Sequence, residues 1–123
     1  MNNPRAALGR RWESAAAQFL QRHGMAVIER GYRCRLGELD LICRDGETLV
    51  IVEVRARSAG AYVTAGESVD RAKQQRLIKT TRHFLMRHPR YCANALRFDV
   101  LAIDNADRAH ARIDWIKDAF QAG

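Results

Sequence analysis

The sequence has little of several features that define common protein classes. Its three cysteines, Cys34, Cys43 and Cys92, form no CxxC pair and are odd in number, which argues against a zinc site and a disulfide framework. No stretch approaches the ~20 consecutive apolar residues that a membrane span requires, and the N-terminus MNNPRAALGRRWE lacks the apolar core of a secretion signal. These absences predict a cytoplasmic protein that makes no membrane contact.

Acidic residues are also in the minority. The chain has 14 Asp and Glu against 21 Lys and Arg, which gives a formal net charge of +7. The electric field of such a chain attracts anions, so polyphosphate partners are favoured and an acidic protein partner is the alternative. The 123 residues, 47% of them hydrophobic, contain no repeat or linker and predict a single domain over 1–123.

Two helices are predicted from apolar residues that recur at helical spacing. The first covers about 10–23 and stops at Gly24, and the second covers about 69–87 and stops before Pro89. A Gly- and Ser-rich segment over about 58–68, ahead of the second helix, is predicted to be a mobile loop.

Strand-like runs surround these helices. Residues 25–29 are predicted to form a short strand that leads into a loop, Tyr32–Arg35. GELDLICR and TLVIVEVRAR predict a hairpin that turns at Asp45-Gly46. LRFDVLAI is a further strand, and the tail over about 111–123 is a last strand or a short helix. The expected order is therefore α-β-β-β-α-β-β/α, an α/β domain.

Carboxylates cluster within the predicted hairpin. Because side chains alternate along a strand, Glu38 and Asp40 share one face of their strand, and Glu53 and Arg55 share one face of the next. With Asp45-Gly46 as the two turn residues, Glu38 lies opposite Glu53, and Asp40 is its diagonal neighbour on the same face. The hairpin therefore predicts a group of acids on one surface.

Three arrangements satisfy carboxylates placed among apolar strand residues, where an ionised group needs compensation. The acids could bind a divalent cation, pair with Arg55 or Arg57, or lie on a strand face in solvent. Magnesium prefers oxygen ligands and keeps several waters, so two carboxylates and substrate phosphate oxygens suffice for it. Such an ion polarises a phosphoryl group and activates a bound water.

The order of the motifs resembles a known family. Gly9 and Glu13, then GELD at 37–40, VEVRAR at 52–57 and RFDV at 97–100, is similar to the YraN-type family, itself similar to archaeal Holliday-junction resolvases among the PD-(D/E)xK restriction-endonuclease-like proteins. This resemblance implies a restriction-endonuclease-like core, a central mixed β-sheet flanked by helices. It also implies Mg²⁺- or Mn²⁺-dependent hydrolysis of phosphodiester bonds in branched DNA, and a homodimer, since resolvases cut symmetric junctions as dimers.

The resemblance also implies roles for individual residues. Asp40 and Glu53 match the metal-binding carboxylates, the backbone carbonyl of Val54 would be a further ligand, and Glu13 matches a helix-borne acid that assists catalysis. The alternative for Glu13 is a solvated helix residue. Arg55 stands where the signature has lysine, and because arginine stays protonated it is a poor base, although its guanidinium can clamp a phosphate.

The second predicted helix carries charge of one sign. Between Arg71 and Arg90 there are seven Lys or Arg residues and no acid. Repulsion that no acid relieves suggests a nearby anion, and a solvated helix face is the alternative. The predicted nucleic-acid contacts are Arg33, Arg35, Arg57, Arg71, Lys73, Gln75, Arg76 and Lys79.

Three functions remain open at this point. The first is a metal-dependent endonuclease acting on DNA, with Glu13, Asp40, Glu53 and Arg55 as its catalytic residues. The second is a non-catalytic nucleic-acid-binding module with the same fold, which the arginine at position 55 supports. The third is a protein-interaction adaptor that uses the same basic face.

Overall fold

The computed structural model describes residues 4–60 and 64–122, with side chains from Trp12 onward. The element order is the predicted one, and the last element is a strand. The elements are α1 (Pro4–Arg22), β1 (Ala26–Cys34), β2 (Gly37–Asp45), β3 (Thr48–Arg57), α2 (Arg71–Arg87), a 3₁₀ turn (Pro89–Tyr91), β4 (Leu96–Asp104) and β5 (Arg112–Phe120).

The five strands form one mixed sheet in the order β1-β2-β3-β4-β5. Only the central pair, β3 and β4, is parallel, and α2 makes the crossover between these two strands. Such a connection needs a dozen or more residues, which the 58–95 segment supplies. The predicted α/β class with a mixed sheet flanked by helices is confirmed.

The two helices cover opposite faces of the sheet. Against one face, α2 packs Leu77, Ile78 and Phe84 into a cluster with apolar side chains of β2, β3 and β4. Against the other face, α1 packs Ala16 and Leu20 onto the alternate residues of the same strands. The central strands therefore have apolar residues on both faces, and two of their charged side chains, Glu53 and Asp99, are buried.

The end of α1 and the start of α2 are stabilised by local hydrogen bonds. The N–H of Gly24 donates to the carbonyl of Gln21 at 3.1 Å and that of Met25 donates to Leu20 at 3.0 Å, which is the glycine-terminated motif predicted for α1. At the start of α2, the Asp70 carboxylate accepts the Lys73 backbone N–H at 2.8 Å. This cap fixes the position in the first turn of α2 from which the Lys73 side chain projects.

The hairpin between β2 and β3 is confirmed, but its predicted register was wrong. Asp45 pairs with Thr48, so the turn residues are Gly46 and Glu47. Gly46 has φ of 60°, which a two-residue turn requires at its first central position. The shift of two residues keeps the same faces together, and the register now places Asp40, rather than Glu38, across from Glu53.

The loop predicted at Tyr32–Arg35 was also wrong, because β1 continues to Cys34. Cys34 pairs with Gly37, so the turn consists of Arg35 and Leu36 alone. Gly31 lies between the predicted strand and the predicted loop, yet its φ of 64° only distorts the strand. Pairing with β2 resumes at Tyr32 and carries the strand past the glycine.

The segment after β3 is attached to the sheet at both described flanks. Ala59 donates its N–H to Asp107 Oδ1 at 2.6 Å, and Ala65 donates to Asp104 Oδ1 at 2.7 Å. Residues 61–63 of the predicted mobile loop lie outside the described residues, and the mobility stays a prediction. Neither helix, as far as the chain is described, has the length and apolarity needed to cross a membrane.

Candidate metal centre and basic helix

The carboxylates meet where β2 and β3 separate. Ladder pairing between these strands runs from Asp45–Thr48 to Leu41–Val52. Beyond it, the N–H of Val54 donates to the side chain of Asp40, at 2.9 Å from Oδ2. The Asp40 carboxylate therefore lies between the two strands and is held there by the backbone of β3.

Three acids from two elements converge at this point. Glu13, Glu38 and Asp40 each offer a carboxylate oxygen, and these oxygens lie within 4.8 Å of one another. Glu13 Oε1 lies 4.0 Å from where a Cβ on residue 31 would stand, so Gly31 leaves open the space beside this carboxylate. The helix-borne acid thus points toward the sheet, and we call these three residues with Glu53 the acid cluster.

Glu53 is the buried member of the acid cluster, with only 4% of its surface exposed. Burial raises the pKa of Glu53 to about 9, and a hydrogen bond to Asp40 and the Asp40 charge act in the same direction, whereas Lys73 lowers it. Burial therefore favours the protonated form of Glu53, and the Lys73 charge opposes it. A cation close to the cluster would favour the charged form.

Lys73 is the cation that contacts Glu53. Its Nζ lies 3.2 Å from Glu53 Oε2, a distance that makes an ion pair. By strict geometry, Oε2 is nevertheless a buried oxygen without a hydrogen-bond partner among the described residues. The distance identifies the contact, and the missing hydrogen bond shows that the carboxylate is only partly satisfied by it.

Glu13 has an environment of the same kind. Burial raises the pKa of Glu13, followed by the charge of Asp40, and the nearby Arg30 and Arg33 oppose these effects. Arg33 also lies 3.4 Å from Glu38 through a largely exposed contact, which solvent weakens. Four carboxylates thus share a small volume with few close cations. Hard oxygen ligands in this number fit Mg²⁺ or Mn²⁺.

The structure brings together most of the predicted ligands. Asp40 and Glu53 are in contact, as predicted from alternation along the strands, and Val54 takes part through its N–H. Its carbonyl as a ligand stays a prediction. Glu38 was missing from the predicted ligands, although its two-residue spacing from Asp40 in GELD was a signal for it.

Arg55 is hydrogen-bonded to the segment before α2. Its Nε donates to Ser68 Oγ at 2.9 Å. Arg57 has its pKa lowered by burial and by the charge of Arg55, which places the two guanidinium groups near each other. Neither arginine forms a salt bridge with a carboxylate of the described residues, so the predicted alternative of a strand ion pair is replaced by Lys73 and Glu53.

The basic face of α2 begins beside the acid cluster, because Lys73 lies in the first turn of the helix. Over the described part of the chain, no carboxylate lies within 4 Å of the other cations of this helix and the turn that follows it. Gln75 is exposed among them. We define the basic face as Arg71, Arg76, Lys79, Arg82, Arg87 and Arg90, all exposed.

The comparison with protein families identifies relatives of this chain. The sequence profile of Uncharacterised protein family UPF0102 matches residues 12–103, a range that includes the whole acid cluster and the whole basic face. The chain belongs to this family. The match confirms the YraN-type resemblance that the motif order predicts.

Curated UPF0102 proteins match along almost the whole chain. One from Ectopseudomonas mendocina is 46% identical over 115 residues, which cover 94% of this chain and 95% of the relative. One from Alcanivorax borkumensis is 45% identical over 112 residues, covering 91% and 90%. One from Pseudomonas aeruginosa strain LESB58 is 44% identical over 115 residues, covering 93% and 92%. The relatives therefore have the same extent as this UPF0102 chain.

Proposed function

We propose that this UPF0102 protein is a metal-dependent nuclease that hydrolyses phosphodiester bonds, with Mg²⁺ or Mn²⁺ bound at the acid cluster. The observation that supports this function is the approach of Glu13, Glu38 and Asp40 to within 4.8 Å, beside the buried Glu53. Crowded carboxylates destabilise a fold unless a cation compensates them, so a cluster of this kind is suited to binding an ion.

The residues of the cluster have distinct tasks in this proposal. The Val54 N–H fixes one oxygen of Asp40 and leaves the other for the ion. Glu38 and Glu13 approach from β2 and α1, and Glu53 completes the set from the buried side. The bound ion would polarise the phosphoryl group of the substrate and lower the pKa of a bound water.

Nucleic acid is the substrate class that the charges favour. The basic face starts at the acid cluster and follows α2, whose 17 residues extend for about 25 Å at 1.5 Å per residue. Lysine and arginine contacts to phosphate position a protein without reading sequence. We therefore propose DNA recognised by shape, and the resemblance to junction resolvases extends this to branched DNA and a homodimer. The cytoplasmic location that the cysteine content predicts is part of the same proposal.

Cleavage of a substrate panel tests the proposal. Labelled duplex, single-stranded, flap and four-way-junction DNAs are incubated with Mg²⁺ or Mn²⁺, and binding is recorded in parallel. We expect metal-dependent cutting by the wild type and a loss of at least about 100-fold in Asp40→Asn and Glu53→Gln, with DNA binding retained.

Matched controls separate loss of the site from loss of an acid. Asp114→Asn and Glu47→Gln make the same chemical changes outside the acid cluster, and both variants should cut as the wild type does. Cutting that survives in both Asp40→Asn and Glu53→Gln would refute the assigned site. A wild type that cuts no DNA with either metal would refute the proposed activity on this panel.

A non-catalytic nucleic-acid module is the second candidate. The observation in its favour is that Arg55 replaces the signature lysine and is hydrogen-bonded to Ser68. Tight binding that weakens steeply with salt, without cutting, would support this candidate, because released counterions drive such binding. An adaptor for acidic proteins would show no duplex affinity at moderate salt.

A further inference from the structure

Two cations stand near the point where the nuclease signature has its lysine, and the structure separates their roles. Arg55 occupies the signature position in sequence, but its guanidinium is directed to Ser68. Lys73, from a different element, contacts the buried Glu53. The charges that shift Glu53 include Lys73 and Asp40, and Arg55 is not among them.

The Lys73 contact is close but incomplete. Its ammonium group lies 3.2 Å from Glu53 Oε2 in a region where the Lys73 side chain is 26% exposed and that of Glu53 is 4% exposed. Oε2 nevertheless has no hydrogen bond from the described residues. A lysine on a flexible four-carbon stem, with one side open to solvent, is free to exchange this contact for another anion.

We propose that Lys73, rather than Arg55, is the cation that acts with the acid cluster: it compensates Glu53 while the site is empty and transfers to a substrate phosphate once a divalent ion binds. This inference rests on the proposed function for its phosphate step, and on the observed ion pair for its first step. In this inference, the first turn of α2 supplies the cation that in the nuclease signature comes from β3.

Electrostatics gives the exchange its direction. Lys73 and a divalent ion at the acid cluster carry charge of the same sign within a few ångströms, so each weakens the binding of the other. A bound ion compensates Glu53 and releases the ammonium group. The released group lies at the end of the basic face next to the acid cluster, where it can contact a phosphate held along α2.

Metal affinity tests the first step without requiring catalysis. Mn²⁺ binding is measured by titration calorimetry for the wild type, Lys73→Met, Lys73→Arg and Arg55→Met. Lys73→Met should bind Mn²⁺ about tenfold more tightly, because a competing charge is removed. Lys73→Arg, which keeps the charge, and Arg55→Met should bind like the wild type.

A matched control and a fold check accompany these variants. Lys117→Met removes the same charge from β5, which pairs with β4 and is separated by it from the acid cluster, and its Mn²⁺ affinity should not change. Thermal unfolding by circular dichroism verifies that each variant is folded. Tighter Mn²⁺ binding by Lys73→Met cannot come from a damaged fold, since damage would weaken the site.

Cleavage at saturating Mn²⁺ tests the second step. We expect Lys73→Met to lower the single-turnover rate about 100-fold, as for the loss of a transition-state donor, and Arg55→Met to have a smaller effect. The opposite order of the two variants, or a Lys73→Met affinity equal to or weaker than that of the wild type, would overturn the inference.

The outcomes remain distinct if the proposed nuclease function fails. When the wild type binds Mn²⁺ but cuts no DNA, the order of the Mn²⁺ affinities of the variants is sufficient to test whether Lys73 competes with the ion. When the wild type binds no Mn²⁺, binding gained by Lys73→Met supports Lys73 as the competing cation, and a variant that also binds none overturns it.

Discussion

Two buried carboxylates on adjacent central strands are held in opposite ways. Asp99 of β4 is 1% exposed and Glu53 of β3 is 4% exposed. Asp99 accepts the Arg97 guanidinium at 2.9 and 3.0 Å, the Trp115 indole N–H at 2.9 Å and the Asp118 backbone N–H at 2.9 Å. Glu53 has the Asp40 carboxyl and one ion pair, and its Oε2 lacks a hydrogen bond within the described chain.

The difference separates an acid whose hydrogen bonds are satisfied within the fold from one whose hydrogen bonds are not. Asp99 lies where the β4–β5 register shifts, between Phe98 and Val100, and it binds the Asp118 N–H across this irregularity. Its hydrogen bonds attach the edge strand to the sheet. Glu53, in contrast, is buried without full satisfaction, and a fold retains such a group when it binds something else. The acid in RFDV therefore stabilises the sheet, and the acid in VEVR is the one that we assign to the proposed metal site.

The largest expected effect is the loss of Asp99. Asp99→Ala leaves the largely buried Arg97 without its bidentate partner and should lower the free energy of unfolding by about 3–5 kcal/mol. Urea denaturation measures this change. Asp114→Ala is the control, because its salt bridge to Arg112 is largely exposed and contributes ~1 kcal/mol or less. Equal losses in the two variants would contradict the structural role of Asp99.

Replacement of Glu53 should raise the free energy of unfolding near pH 8, the opposite of the change expected for Asp99→Ala. Its folded pKa of about 9 exceeds the ordinary value of 4.5, so between these values the folded state binds the proton more tightly. The free energy of unfolding therefore falls as the pH rises through this range. In metal-free buffer, the free energy of unfolding of Glu53→Gln should equal that of the wild type near pH 5 and exceed it by about 4 kcal/mol near pH 8.

Urea denaturation at several pH values checks the Glu53 prediction. Glu47→Gln, in the exposed hairpin turn, makes the same change without burial and should leave the pH profile unaltered. A Glu53→Gln variant that is less stable than the wild type at pH 8 would mean that the Lys73 ion pair outweighs the burial of the carboxylate.

Local pattern was sufficient for most of the fold. The two helices follow from apolar spacing, and the hairpin follows from two alternating runs around Asp45-Gly46. The turn register did not follow, since a glycine of positive φ fits either central position of a two-residue turn. The extent of β1 was underestimated because a glycine within a paired strand resembles one that ends it.

From residue spacing alone, the candidate site was predictable only where its residues share a strand pair, whereas the place of Glu13 followed from the family resemblance. Asp40 and Glu53 come together through strand alternation and the hairpin. Lys73 reaches Glu53 through the crossover from β3 to α2, and no spacing rule specifies which side chain of a helix meets a strand after a long connection. The hydrogen bonds of Asp99 depend in the same way on the irregular pairing of β5.

The smallest expected effect concerns the buried thiol of Cys43 on β2. Burial raises the pKa of Cys43 to about 12, and the Asp99 charge acts in the same direction. In the folded protein, Cys43 therefore has almost no thiolate form at pH 8. In a Cys34→Ser, Cys92→Ser background, a thiol reagent should label Cys43 only through unfolding. The labelling rate should then follow the unfolded population and rank Asp99→Ala above the wild type and Glu53→Gln below it. Equal rates in all three proteins would instead show that local opening near β2 exposes Cys43, independently of both carboxylates.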